Sequence, residues 1–103
     1  MTDLAQTVEF AKWLKRLKDI DARARINVRL KRIALSGNLG DTKPVGDGVY
    51  ELRVDYGPGY RVYYSQRGKE ILLLLIGDDK SSQQKDIEKA KKINSEYERW
   101  RRR

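Results

Sequence analysis

The spacing of apolar residues along this chain changes period twice, and each change marks a different kind of element. From Thr7 to Lys18, Phe10, Trp13, Leu14 and Leu17 recur at helical spacing, with Glu9, Lys12, Lys15 and Arg16 between them. The pattern predicts an amphipathic helix with Thr7 as its N-cap. Asp19 and Asp21 interrupt it, and Asp21 is placed to cap a second helix with the stripe Ala22, Ile26, Leu30 and Ile33. Gly37 suits the left-handed residue that closes such a helix, so the two helices read as an α-hairpin.

Residues 39–48, rich in Gly, Asp, Pro and Thr, read as a loop, and after them the period drops to two. Tyr50, Leu52, Val54 and Tyr56 share one face of a strand, and Val49, Glu51, Arg53 and Asp55 share the other. Gly57-Pro58-Gly59 is a turn, and from Tyr60 to Ser65 the alternation resumes, with Arg61 and Tyr63 opposite Tyr60, Val62 and Tyr64. These two strands predict a hairpin. The continuous apolar run to Ile76 predicts a strand covered on both faces. Ser81 and Gln84 have capping-box spacing ahead of a last helix with the stripe Ile87, Ala90, Ile93, Tyr97 and Trp100. The order predicts one α+β domain over residues 1–103: two N-terminal helices, a mostly antiparallel twisted sheet of three to four strands, and a C-terminal helix. The helices are expected on one face of the sheet, with residues 2–6 a weakly signalled extra edge strand.

Composition narrows the chemistry. The chain has neither cysteine nor histidine, which excludes disulfides, thiolate or imidazole metal sites, and Ser-His or Cys-His nucleophile pairs. The absence of cysteine and of an apolar leader predicts a reducing, cytoplasmic setting, and no run is long enough to span a bilayer. With 23 Lys+Arg against 15 Asp+Glu, the net charge of +8 favours a polyanionic partner, nucleic acid first. The excess lies at the ends: residues 1–36 carry net +5, 37–77 net zero and 78–103 net +3. A site in the middle third must therefore work by arrangement of charge and not by its bulk.

Three blocks, Gly37 to Arg53, Tyr56-Gly57-Pro58-Gly59-Tyr60-Arg61-Val62-Tyr63 and Gly77-Asp78-Asp79-Lys80-Ser81-Ser82-Gln83, resemble the signatures of the HigB-like, phage-derived "addiction module killer" branch of the RelE/ParE toxins. Glu9-Phe10-Ala11-Lys12-Trp13-Leu14 matches as well, so the resemblance runs in register over nearly the whole chain. It implies a RelE-like fold and the toxin of a type II toxin–antitoxin pair, a ribosome-dependent endoribonuclease that cuts mRNA, needs no metal or other cofactor and inhibits translation. The implied partners are the ribosome and mRNA, a helix-turn-helix HigA-like antitoxin, and operator DNA reached through that antitoxin, with no membrane.

Cleaving RNA without metal or histidine requires in-line alignment of the 2′-oxygen, neutralised phosphoryl oxygens and a path for protons. Arginine suits the second task because its fork donates to two oxygens at once. Arg53 and Arg61 lie on the strand face opposite the apolar one, where the hairpin should bring them together, and RelE-type toxins contact the scissile phosphate from the position of Arg61. Arg53 pairing with Glu51 or Asp55 is the alternative. Lys80, ahead of the last helix, completes the expected catalytic set unless it pairs with Asp78 or Asp79. Lys43, Tyr63 (stacking on a base) and Gln83 are candidate RNA contacts. Arg25, Arg29 and Arg32 are candidates for docking RNA backbone, or else a solvated helix face. The resemblance departs at Glu51, where well-studied RelE toxins carry lysine, and at Asp86-Ile87, where they carry tyrosine. The general base stays open among Lys80, Asp79 and a group from the RNA or ribosome. ParE-like inhibition of DNA gyrase and non-catalytic nucleic-acid binding are the competing functions. On the nuclease reading, Arg61→Ala abolishes activity and spares the fold.

Overall fold

The structure, a computed structural model, describes residues 2–68, 71–79 and 83–101, with side chains as far as residue 97. The elements run β1 (Asp3–Gln6), α1 (Val8–Arg16), α2 (Ile20–Ser36), β2 (Thr42–Gly46), β3 (Val49–Val54), β4 (Tyr60–Arg67), β5 (Ile71–Asp79) and α3 (Gln83–Arg101). The five strands form one sheet in the order β1-β5-β4-β3-β2, with β1 parallel to β5 and every other pairing antiparallel. The α+β class and the central hairpin are as the alternation predicts, and the weakly signalled edge strand is β1.

Two expectations are corrected. The supposed loop contains β2, whose Thr42, Lys43 and Pro44 pair with Leu52, Glu51 and Tyr50. Its Pro and Gly hide it from propensity, but an edge strand tolerates a proline facing away from the ladder. The helices also lie on both faces of the sheet. Phe10 of α1 and Ala22, Ile26, Leu30 and Ile33 of α2 pack with Leu52, Val62, Tyr64, Leu72 and Leu74. On the other face Ile87, Ala90 and Ile93 of α3 pack with Val49, Tyr63, Leu73, Leu75 and Ile76. The reason is β5 itself: a strand apolar on both sides exposes one side to water unless a helix covers each.

The caps are set locally. Thr7 caps α1 as expected, its Oγ1 accepting from the Phe10 N–H at 3.0 Å. Asp19, not Asp21, caps α2 by accepting from the Ala22 N–H. Either aspartate has the chemistry, and the tight α1–α2 joint selects the earlier one. Gly37 closes α2 at φ 74°, in the left-handed region where glycine carries no Cβ penalty. The expected capping pair Ser81/Gln84 and the place of Trp100 lie outside the described residues and side chains.

One irregularity positions the site. Tyr63 pairs with Ile76 and Tyr64 with Leu74, so Leu75 is an extra residue in β5, a β-bulge. Leu75 and Ile76 consequently both join the α3 side of the core. The alternation resets beyond them, so Gly77 faces Trp13 of α1 and Asp78 faces the α3 side. Thr7 fastens this bulge to α1: its N–H donates to the Leu74 carbonyl at 3.0 Å and its hydroxyl to the Leu75 carbonyl at 2.7 Å.

Candidate functional site

Arg53 and Arg61 are directly opposed in the β3–β4 ladder, as the hairpin requires. Both line an open cleft of about 340 Å³ at the turn end of the hairpin, together with Asp41, Val54, Asp55 and residues 57–60. Two arginines side by side repel each other unless an anion stands near each, and the chain supplies anions differently to the two. Arg53 is half exposed and meets Asp41, itself exposed, at 3.3 Å. Arg61 is only 8% exposed. Its Nε lies 3.0 Å from Glu51 Oε1, and its Nη1 reaches Asp78 Oδ1 at 3.5 Å and the Asp79 carbonyl at 3.3 Å. Arg53 is thus the solvent-facing cation of the pair, and Arg61 is braced from below by two buried carboxylates.

Glu51 organises this floor. Fully buried, it receives Arg61, the Lys43 ammonium at 3.9 Å and a hydrogen bond from the Gln83 side-chain amide at 3.2 Å. Lys43 faces it because the two residues are register partners across β2 and β3, and Gln83 because it opens α3 above the sheet. Arg61 and two of the candidate RNA contacts therefore converge on one carboxylate, at the position where the resemblance leads one to expect a lysine.

Tyr63 is corrected. It lies on the Arg61 face as predicted, but it is fully buried beneath α3 and its hydroxyl donates to Asp78 Oδ2 at 3.0 Å. A ring so covered has no face to offer a base. Burial, and then the neighbouring Asp78, push its phenol well above the usual tyrosine range, so it stays a donor. Asp78 is pushed up to about 7, first by burial and then by its hydrogen bond with Asp86 of α3. Tyr63 and Arg61 pull the other way. An acid that donates to a second carboxyl gives up its proton less readily. Asp78 and Asp86 were invisible as site residues because only the β5 bulge and the docking of α3 bring them to the Arg61 face.

The α2 arginines divide. Arg29 Nη1 donates to the Arg53 carbonyl at 2.7 Å and Nη2 to the Leu39 carbonyl at 2.8 Å. Its guanidinium clasps the 39–41 loop to the end of β3, and burial, followed by Arg32, lowers its pKa. A side chain committed to two carbonyls is a poor docking ligand for RNA. Arg25 stands 4.9 Å above the Tyr56 ring and Arg32 is exposed. Neither lines the cleft. Lys80 lies outside the described residues. Among the described residues, no helix is long and apolar enough to cross a membrane.

Comparison with known proteins places this geometry. The family model for "Phage derived protein Gp49-like" matches residues 12–98. An uncharacterized protein of Haemophilus influenzae is 49% identical over 90 residues, covering 87% of this chain and 90% of its own. Among solved structures, isolated E. coli RelE toxin superposes with a TM-score of 0.63 at 16% identity, over 86% of this chain and 97% of its own. A chain of the intact E. coli RelBE toxin–antitoxin complex gives the same TM-score and identity over 77% and 96%. A YoeB/ParE toxin from Agrobacterium tumefaciens gives 0.54 at 19% identity, over 76% and 98%. At such identities the likeness to the solved structures is one of fold. The paired arginines at the end of a central hairpin, flanked by helices on both faces, therefore belong to a member of the phage-derived Gp49-like family with the fold of the RelE toxins.

Proposed function

We propose that this protein is the toxin of a toxin–antitoxin pair, an endoribonuclease that cuts mRNA on the ribosome and is silenced by a cognate helix-turn-helix antitoxin. The observation that carries the reading is the shared cleft: Arg53 and Arg61, opposed in register, line one open concavity large enough for a bent phosphodiester. Arg53 is the phosphate ligand. It exchanges the exposed Asp41 for a phosphoryl oxygen at little cost, since an exposed ion pair contributes about 1 kcal/mol or less. Arg61, held at Nε and Nη1, is left with an Nη2 that makes no hydrogen bond among the described residues, and it adds charge from a fixed position. A rigid donor needs no reorganisation as charge develops in the transition state. Lys80 is retained as the third cation on its place in the sequence alone. The fold shared with RelE supports the reading.

One observation favours a second reading, ParE-like inhibition without nuclease chemistry. Glu51 and Asp78 already compensate Arg61, so its charge does not demand a phosphate. Induced expression separates the two. The nuclease reading expects prompt translation arrest, with breaks inside translated messages that vanish in Arg53→Ala. Intact messages accompanied by a DNA-damage response would replace it with the gyrase reading.

A further inference from the structure

α2 buries one apolar stripe and leaves Ala24, Val28 and Leu35 exposed on its opposite side. Ala22, Ile26, Leu30 and Ile33 are buried against the sheet. On the far side Val28 is 59% and Leu35 63% exposed. A surface helix needs one apolar stripe to fold, and large apolar residues aligned seven positions apart on its far side suit a contact with another helix. The outward residues are also ordered. Asp21, Ala24, Val28, Lys31 and Leu35 follow one another at intervals of three, four, three and four residues, the repeat by which one helix packs along another. Arg25 and Arg32 each follow the second residue of a repeat and so stand along one flank of the seam. Arg25 is held there over the Tyr56 ring, at the wall of a concavity of about 550 Å³ lined by Asp21, Ala24, Arg25, Val28 and Tyr56.

We propose that the outward face of α2 is a docking seam for a helix of another protein, apolar along its middle and acidic along the flank that meets Arg25 and Arg32. The inference is independent of the nuclease reading, because it uses no chemistry at Arg53 or Arg61. Charge selects this occupant. A second copy of the chain would set two segments of net +5 against each other. An RNA backbone would satisfy Arg25 and Arg32 but leave Val28 and Leu35 against sugar and phosphate, where their burial gains little. Lys31, within the seam, extends its ammonium past the partner's edge toward an acidic residue there. From Asp21 to Leu35 the seam runs ~21 Å, a partner helix of about four turns.

The probe is a synthetic amphipathic peptide of that length, with leucine on the seam and glutamate on the flanks, titrated against the whole protein by fluorescence anisotropy. Saturable micromolar binding is expected, weakened roughly ten-fold or more by the double change Val28→Ser and Leu35→Ser, with circular dichroism unchanged. Arg25→Glu with Arg32→Glu should shift preference to a peptide with lysine flanks. A scrambled peptide of the same composition should bind at least about ten-fold more weakly. Equal binding of the scrambled peptide, or indifference to the serine changes, would reduce the effect to bulk charge and overturn the proposal. So would binding of a short single-stranded RNA that depends on Arg25 and Arg32 in place of the peptide, or a dimer of the protein abolished by the serine changes.

Discussion

At the scale of single residues, the two arginines of the hairpin differ in what their removal does. On the proposed function, Arg53→Ala is expected to abolish toxicity on induction while changing stability by no more than about 1 kcal/mol, because both members of its ion pair are exposed. Arg61→Ala does more. It leaves the buried Glu51 with only the Lys43 ammonium at 3.9 Å and the Gln83 amide, and it takes a donor from Asp78, so roughly 3 kcal/mol of stability should go with the activity. This revises the sequence-based expectation that Arg61 is replaceable without harm to the fold. Denaturant titration of both variants checks it: equal midpoints would mean that the carboxylates do not depend on Arg61. The alternation of β3 and β4 was enough to put Glu51, Arg53, Arg61 and Tyr63 on one face. It carried no information about α3, which covers Glu51 and Tyr63 and stops short of Arg53.

At the scale of elements, contacts between neighbours set the site. Gly77 sits beneath the Trp13 ring, and a Cβ there would overlap the ring. Gly77→Ala should force α1 outward at the bulge and cost about 1–3 kcal/mol, read as a lower melting temperature. A variant as stable as the parent would show that Trp13 can swing aside. Arg29 ties the 39–41 loop to β3 through two carbonyls, and lysine has no planar fork to reach both. If the proposed nuclease function holds, Arg29→Lys should lower RNA cleavage about ten-fold by loosening Arg53 and Asp41, with helix content preserved. Full activity in that variant would show that the clasp does not position Arg53. Neither contact was readable in the sequence. Gly77 was only the residue after an apolar run and Arg29 one more basic residue on a polar helix face, because contacts across 64 and 24 positions leave no periodicity.

At the scale of the molecule, a buried acid shapes the response to pH. The chain has no histidine, so no side chain of ordinary pKa titrates between pH 5 and 8. Asp78, raised to about 7 by burial and by Asp86, does. Among the described residues, the polar groups around it are Tyr63 and Arg61 from β4 and Asp86 from α3. A raised acid holds in the folded state a proton that the unfolded chain has released. Its stabilisation is complete below the unfolded pKa near 4 and is lost as pH rises through about 7. Melting temperature should fall between pH 5 and pH 8. In Asp86→Asn, whose amide can donate to an ionised Asp78, that fall should flatten and the melting temperature at pH 8 should rise by a few degrees. Parallel curves for parent and variant would mean that Asp86 does not help Asp78 keep its proton.

Local order was legible without the structure. Period, caps and turns are decided within a few residues of chain, so the helices, the central hairpin, the doubly apolar β5 and the opposition of Arg53 and Arg61 all followed from spacing. The resemblance of four blocks pointed to the fold that superposition bears out. Tertiary structure alone decided that helices cover both faces, that β1 runs parallel to β5, that β2 exists, and that Glu51, Asp78 and Asp86 gather beneath Arg61. Those features arise where segments far apart in the chain meet, and burial there sets which side chains keep their charge, their solvent and their freedom to bind.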